Sequence, residues 1–256
     1  MIIKADAAQL EWRVKAFLAQ DQVAIQEILD PTRDIHAENQ KELVLPGRTV
    51  SKNFLFRAIF ADAFGEQGFR GPAYAFANDP NFAETSKSVA FWEKVIERFF
   101  SKYEGVYQHS ISLIRTGCET GKIVSPSGRV YKYKTYTKWN GDQEWPRTQM
   151  LNHIVQGFSA ELMIFARRYT YQNWNNDWGV LVNTVHDDIE ADVHNDPETI
   201  YRSCCLMEDA FLSIPKQVKQ WFNVVLNVPI IAECKYGPNL CEDSMTKFNR
   251  EAFNGK

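Results

Sequence analysis

Several things are missing from this 256-residue sequence, and each absence closes off a class of protein. The five cysteines, Cys118, Cys204, Cys205, Cys234 and Cys241, form no CxxC pair and no zinc-ligand spacing. Their odd number argues against a disulfide framework and for reduced, cytosolic thiols. No apolar run approaches the roughly 18 residues of a membrane span, and Met1 to Lys4 runs straight into Asp6 without a secretory signal. A soluble protein of the cytoplasm is expected, with no membrane partner. Repeats and low-complexity tracts are absent. So is any excess of positive charge: the net charge is −3 and the pI about 6.0, so no global basic field advertises nucleic acid. What remains is an ordinary globular composition, 45% hydrophobic and 13% aromatic, with length for one large domain or two interleaved ones. Local charge is where function has to be sought.

The most informative stretch is Val182-Asn-Thr-Val-His-Asp-Asp-Ile-Glu-Ala-Asp-Val193. A β-branched run, a polar tip at His186-Asp187-Asp188 and an alternating exit predict a β-hairpin. Adjacent carboxylates at such a tip repel each other, and a divalent cation would relieve them; Asp is also simply a good turn former. A second source of carboxylate is needed to decide. Ile2, Ile3 and Ala5 predict a short strand ending at Asp6, followed by an amphipathic helix over 7–20 from Leu10, Val14, Phe17 and Leu18. Asp6 and Gln9 also fit a capping box, and Glu11 and Arg13 fit a solvated face.

Further along, a helix is expected after Asp34, carrying an exposed His36. After Pro46-Gly47 a helix is expected with Gly65 as terminator, on which Arg48, Lys52, Phe56 and Phe60 lie in four-residue steps opposite an apolar side of Val50, Phe54, Ala58 and Ala61. Two cations giving way to two rings suit a triphosphate and its sugar, or a packed aromatic stripe. Residues 66–85, rich in Gly, Pro and Asn, read as a loop, and 86–114 as mostly helix. From Lys122 to Trp139 five cations and no acid interleave with Tyr131, Tyr133 and Tyr136. This is a basic hairpin that either tracks phosphates or is merely solvated. Arg147 opens a helix bearing Asn152 and Gln156-Gly157, side chains able to meet minor-groove acceptors. Asn195-Asp196-Pro197 caps a helix to about Leu212. A helix near Lys216–Leu226, a strand over Val228–Lys235 and a polar, loose last twenty residues complete the reading.

The ordered set Asp6-Ala-Ala-Gln-Leu-Glu-Trp-Arg13, Asp34-Ile-His36, Arg48-x3-Lys52-x3-Phe56-x3-Phe60, Asn152-x3-Gln156-Gly157 and His186-Asp-Asp188 resembles the family A DNA polymerases, most closely phage members. The resemblance covers essentially the whole chain and implies an α+β fold. It has a palm with an antiparallel sheet at 1–27 and 140–256, and mostly helical fingers at 28–139. By that resemblance two Mg2+ ions are held by Asp6, Asp187 and the Ala7 carbonyl, with Asp188 as a further catalytic acid. His36, Arg48, Lys52 and Phe56 bind the incoming dNTP, and Gln9, Glu11 and Phe60 belong to the same site, Glu11 as the gate against a 2′-hydroxyl. Arg147, Asn152, Gln156 and His186 touch primer-template DNA.

Ala7, Ala8, Phe60 and Ala61 depart from the family's usual Tyr, Ser, Tyr and Gly, and Asp188 from its usual Glu. The resemblance starts just before the first acidic motif and includes no thumb or exonuclease. The implied protein is therefore a polymerase subunit or fragment, from a split gene or a truncated chain, completed by a second polypeptide carrying the thumb and an exonuclease. For a phage protein the compartment is the host cytoplasm. A non-catalytic primer-template-binding subunit is the alternative.

Overall fold

A computed structural model describes residues 1–63 and 68–253. In chain order, the elements begin with β1 (Ile2–Ala7), α1 (Leu10–Ala19), α2 (Gln22–Leu29), α3 (Ile35–Glu42), α4 (Arg48–Ala58), α5 (Arg70–Ala77), α6 (Val89–Lys102) and α7 (Glu104–Thr120). Next come the short strands β2 (Lys122–Val124), β3 (Val130–Lys132), β4 (Tyr136–Thr137) and β5 (Gln143–Glu144), then the long α8 (Arg147–Asn173). The chain continues with β6 (Gly179–Asn183), β7 (Asp188–Val193), α9 (Pro197–Leu212), α10 (Ile214–Phe222), β8 (Ala232–Gly237) and β9 (Thr246–Lys247). Residues 1–10 with 158–256 form one compact unit, and 11–157 the other. The fold is α+β, as expected.

The first unit is built on a five-stranded antiparallel sheet in the order β6-β7-β1-β8-β9. The period-2 alternation of β1 buries Ile3, Ala5 and Ala7 on one face, joined there by Ile189, Ala191, Val193 and Cys234. Helix α9 covers this face with Cys204, Met207, Ala210 and Phe211, and Asp196 caps it by accepting from Thr199 N–H. Lys4 and Asp6 point to the opposite face. The strand expected at Val228–Lys235 begins only at Ala232; Val228 and Ile230 are buried without pairing. The last twenty residues are not loose up to Phe253. β9 pairs with β8, and Phe248 and Phe253 pack with Tyr201 and Tyr236.

The second unit is helical around an aromatic core of Trp12, Phe54, Trp92, Phe99 and Tyr103. Helix α1 is not amphipathic as expected. Its residues 12–17 are all buried, including Arg13 and a fully buried Lys15. A buried polar network ties three helices together: Tyr103 Oη donates to Glu27 and Asn39, and Lys102 Nζ reaches both. It fixes α3 against its neighbours, and α3 in turn packs on α4. Helix α2 had no counterpart in the sequence reading, and the loop read at 66–85 contains α5. Pro72 falls in the first turn of α5, where Pro costs no hydrogen bond. Helix α4 stops at Ala58, leaving Phe60 in the turn beyond it, and Gly65 lies outside the described residues.

Candidate active site and nucleic-acid face

Asp6 is the last polar residue of β1, one place before the strand ends, and it caps no helix: α1 starts four residues later, at Leu10. In the antiparallel registers Asp6 stands opposite Asp188 on β7 and Glu233 on β8. Directly paired residues project to the same face, so three carboxylates form a row across the sheet. One step back, Lys4 stands opposite the buried Glu190 and Lys235. Ala7 N–H donates to the Asp187 carbonyl at 3.0 Å, which ties the end of β1 to the β6–β7 tip.

The predicted hairpin is present, and its tip is held from several sides. His186 has φ 52°, a left-handed conformation costly for a residue with a Cβ. Arg167 of α8 donates to its carbonyl at 2.8 Å. The two acids that follow divide their labour. Asp188 is 4% exposed; its Oδ1 accepts Val185 N–H at 2.7 Å, and its Oδ2 lies 3.1 Å from Lys4 Nζ. It is stapled into the turn. Asp187 is half-buried beside Asp6, and its charge is the second cause of the Asp6 shift. Burial comes first. Together with the charge of Asp188, and against the pull of Lys4 and Lys235, they push the Asp6 carboxyl up to about 6. Lys4, which the sequence reading gave no role, is the nearest counter-ion. Its only sequence signal is its place two residues before Asp6, on the same face of a strand. Among the described residues no cluster of three or more His, Cys, Asp or Glu is arranged to hold a metal by itself.

In the helical unit, α3 and α4 bring His36, Arg48, Lys52 and Phe56 together. Asp34 caps α3, accepting from His36 and Ala37 N–H, and its Oδ2 lies 2.6 Å from Arg48 Nε. The rings of His36 and Phe56 are 6.2 Å apart, and Lys52 Nζ is 6.0 Å from the Phe56 centroid. His36 is 3% exposed, not exposed as expected. Burial first, then the cations Arg48 and Lys52, lower its pKa to about 4, so its ring is neutral at physiological pH. Phe60 is separate from this group and lines a cleft with Arg57, Pro72, Ala75 and Thr148. Glu11 is half-buried on the first turn of α1, and Gln9 precedes that helix at φ 55°.

Helix α8 presents Asn152 half-buried and Gln156 exposed, and the basic hairpin packs on the same stretch. Tyr133 stacks on His153 with centroids 5.8 Å apart, and Tyr131 lies so close to Gly157 that a Cβ there would meet its hydroxyl at 1.8 Å. A side chain at 157 would therefore displace the Tyr131 ring. Asn152 Oδ1 is buried without a hydrogen-bond partner, as is Arg147 Nε. His153, which carries no motif signal in the sequence, joins the hairpin to the helix through its imidazole.

A search of curated proteins gives no match. A family model described as DNA polymerase family A matches residues 1–242. Among solved structures, the POL domain of Pol1 from M. smegmatis, in complex with DNA primer-template and dNTP, matches with a TM-score of 0.68 at 18% sequence identity. That match covers 92% of this chain and 39% of the other.

Proposed function

The chain belongs to DNA polymerase family A, and on that premise we propose that it adds deoxynucleotides to a primer 3′-hydroxyl as a template directs. The observation that carries the reading is the half-buried Asp6 at the end of the sheet, within the field of Asp187, whose carbonyl accepts from Ala7 N–H. Burial and the charge of Asp187 raise the cost of ionising Asp6, a cost that a divalent cation removes. Magnesium takes one or two protein carboxylates and fills its octahedron with water and substrate phosphates, so this sparse donor set fits it. Asp6, Asp187 and the Ala7 carbonyl would hold two such ions. Bound there, they would activate the primer hydroxyl and neutralise the charge developing on the triphosphate.

The remaining roles belong to the chain's own side chains. Asp188 fixes the tip that presents Asp187, through Val185 N–H and Lys4. In this reading residues 1–27 and 140–256 serve as palm and 28–139 as fingers. Arg48 and Lys52 meet the triphosphate, and neutral His36 is a hydrogen-bonding partner for it rather than a third charge. Phe56 packs on the sugar, with Gln9, Glu11 and Phe60 assigned to the same nucleotide. Arg147, Asn152, Gln156 and His186 take the primer-template duplex. The unpartnered Asn152 Oδ1 supports this, because a buried polar atom left without a protein partner is costly unless a ligand satisfies it.

Two results check the assignment. Deoxynucleotides should be incorporated in strong preference to ribonucleotides, and equal use of both would overturn the DNA reading. Phe56→Tyr should raise dideoxynucleotide incorporation relative to deoxynucleotides by about tenfold or more, the worth of one added hydrogen bond of ~1.4 kcal/mol. The competition ratio in a primer-extension gel measures it, and an unchanged ratio would remove Phe56 from the sugar pocket.

A further inference from the structure

The segment 122–144 holds five cations and only two acids, Asp142 and Glu144, in a chain whose net charge is negative. It folds as two hairpins of the same design. In the first, Ser125 N–H donates to Arg129 carbonyl and Gly128 N–H to Ser125 carbonyl. In the second, Lys138 N–H donates to Asp142 carbonyl and Gly141 N–H to Lys138 carbonyl. Both glycines sit at φ 90°, which makes each tip a type I turn closed by a left-handed glycine. The turn position that Pro126 fills in the first hairpin is Trp139 in the second, and Trp139 is 99% exposed. An indole is the most costly side chain to leave wholly in water, and here a defined turn holds it there.

The charge on the neighbouring hairpin is also unresolved. Lys122 on β2 stands directly opposite Lys132 on β3, an arrangement that costs stability unless an anion lies across it. Val124 and Val130 are paired on the same exposed face. Among the described residues no carboxylate pairs with Lys122, Lys132 or Lys134, whereas Glu144 is occupied by Lys138 at 2.8 Å and by the Tyr136 hydroxyl at 2.8 Å. Lys134 and Trp139 are five residues apart, so their Cα atoms lie within about 18 Å of each other. Cations without counter-ions in the same short segment as exposed aromatic faces supply the two parts of a single-strand binding surface, one for phosphates and one for bases.

We propose that the double hairpin is a platform for an unpaired DNA strand, with Trp139 and Tyr136 stacking on bases and Lys122, Lys132 and Lys134 on the phosphates. That the strand is the unpaired template rests on the polymerase reading; the binding itself does not. The mixed character of the surface gives it little dependence on base identity, since every base has a face to stack.

The test is fluorescence anisotropy of labelled oligo(dT) and of a blunt duplex with the whole chain, without nucleotide or metal, so that binding is read apart from catalysis. Trp139→Ala should weaken oligo(dT) binding about tenfold or more, from the loss of one stacked base. Trp139→Phe should restore much of it, and neither should change the blunt duplex. The Lys122→Ser/Lys132→Ser double variant should lower the magnitude of the salt dependence for oligo(dT) by about 1.4 in logarithmic slope. Unchanged melting temperatures would show that the variants fold. Oligo(dT) binding indifferent to both variants, or equal losses for oligo(dT) and blunt duplex, would overturn the platform. Failure of the polymerase reading looks different: no incorporation from any template, with the oligo(dT) effects intact.

Discussion

Asp6→Asn is expected to abolish nucleotide incorporation and, in the same molecule, to make the fold more stable. The loss follows from removing a carboxylate that would hold the cations. A metal ion's charge stabilisation is worth several kcal/mol, so the rate should fall by ~10³-fold or more. The gain follows from the Asp6 carboxyl, which burial and the neighbouring Asp187 push up to about 6. A carboxyl with a folded-state pKa above its unfolded value binds its proton more tightly when folded. It therefore costs nothing below about pH 4, costs progressively more between about 4 and 6, and carries the full penalty above 6. The whole shift would correspond to ~3 kcal/mol; Asp6 is about half exposed, and solvent screening reduces that to about 1 kcal/mol. Urea denaturation in chelator at pH 4.5 and 7.5 measures it. The variant should gain over wild type at the higher pH and lose most of the gain at the lower. Equal stabilities at pH 7.5 would mean that Asp6 is not strained.

Lys15→Met is the second large effect, and it lies in the fold rather than the site. Lys15 is completely buried, its ammonium donates to Ser110 Oγ at 2.8 Å, and the Ser110 hydroxyl in turn donates a hydrogen bond to the Val106 carbonyl. Among the described residues no carboxylate pairs with it, and burial lowers its pKa to about 7. A base whose pKa is lower folded than unfolded is protonated more readily when unfolded. Stability should therefore rise with pH from about 7 to 10.5, and the penalty is complete below 7. A shift of that size corresponds to ~5 kcal/mol as an upper bound; the acceptor left on Ser110 offsets ~1–2 kcal/mol, leaving an expected gain of about 3 kcal/mol at pH 7. This is roughly 6–12 °C in melting temperature by the usual scaling for chains of this size. Calorimetry at pH 7 and 9.5 should show the gain shrinking at the higher pH. Destabilisation at pH 7 would mean that the ammonium is better satisfied than its surroundings indicate.

Local signals in the sequence were reliable where the structure is local. The β6–β7 hairpin, the helix start after Asp34, the Asp196 cap and the start of α4 at Arg48 are set by neighbours within a few residues. The errors share one cause, which is distant packing. Arg13 reads as part of a solvated face, yet α1 runs through the middle of a helical unit and has no solvated face over that stretch. Asp6 reads as a cap until β7 and β8 are placed on either side of it. Residues 66–85 read as a loop from their Gly, Pro and Asn, although Pro is tolerated at a helix start. The site was legible as a set of residue types at the right intervals. The division between Asp187 beside Asp6 and Asp188 stapled to Lys4 was not, because it depends on a register joining residues more than 180 positions apart.

The most direct measurement is single-nucleotide extension of a short primed template with Mg2+, offering each dNTP separately to wild type and to Asp187→Ala. The account predicts that wild type adds only the nucleotide complementary to the template base, and that Asp187→Ala adds none. Addition by Asp187→Ala at the wild-type rate, or addition by wild type regardless of the template base, would contradict it.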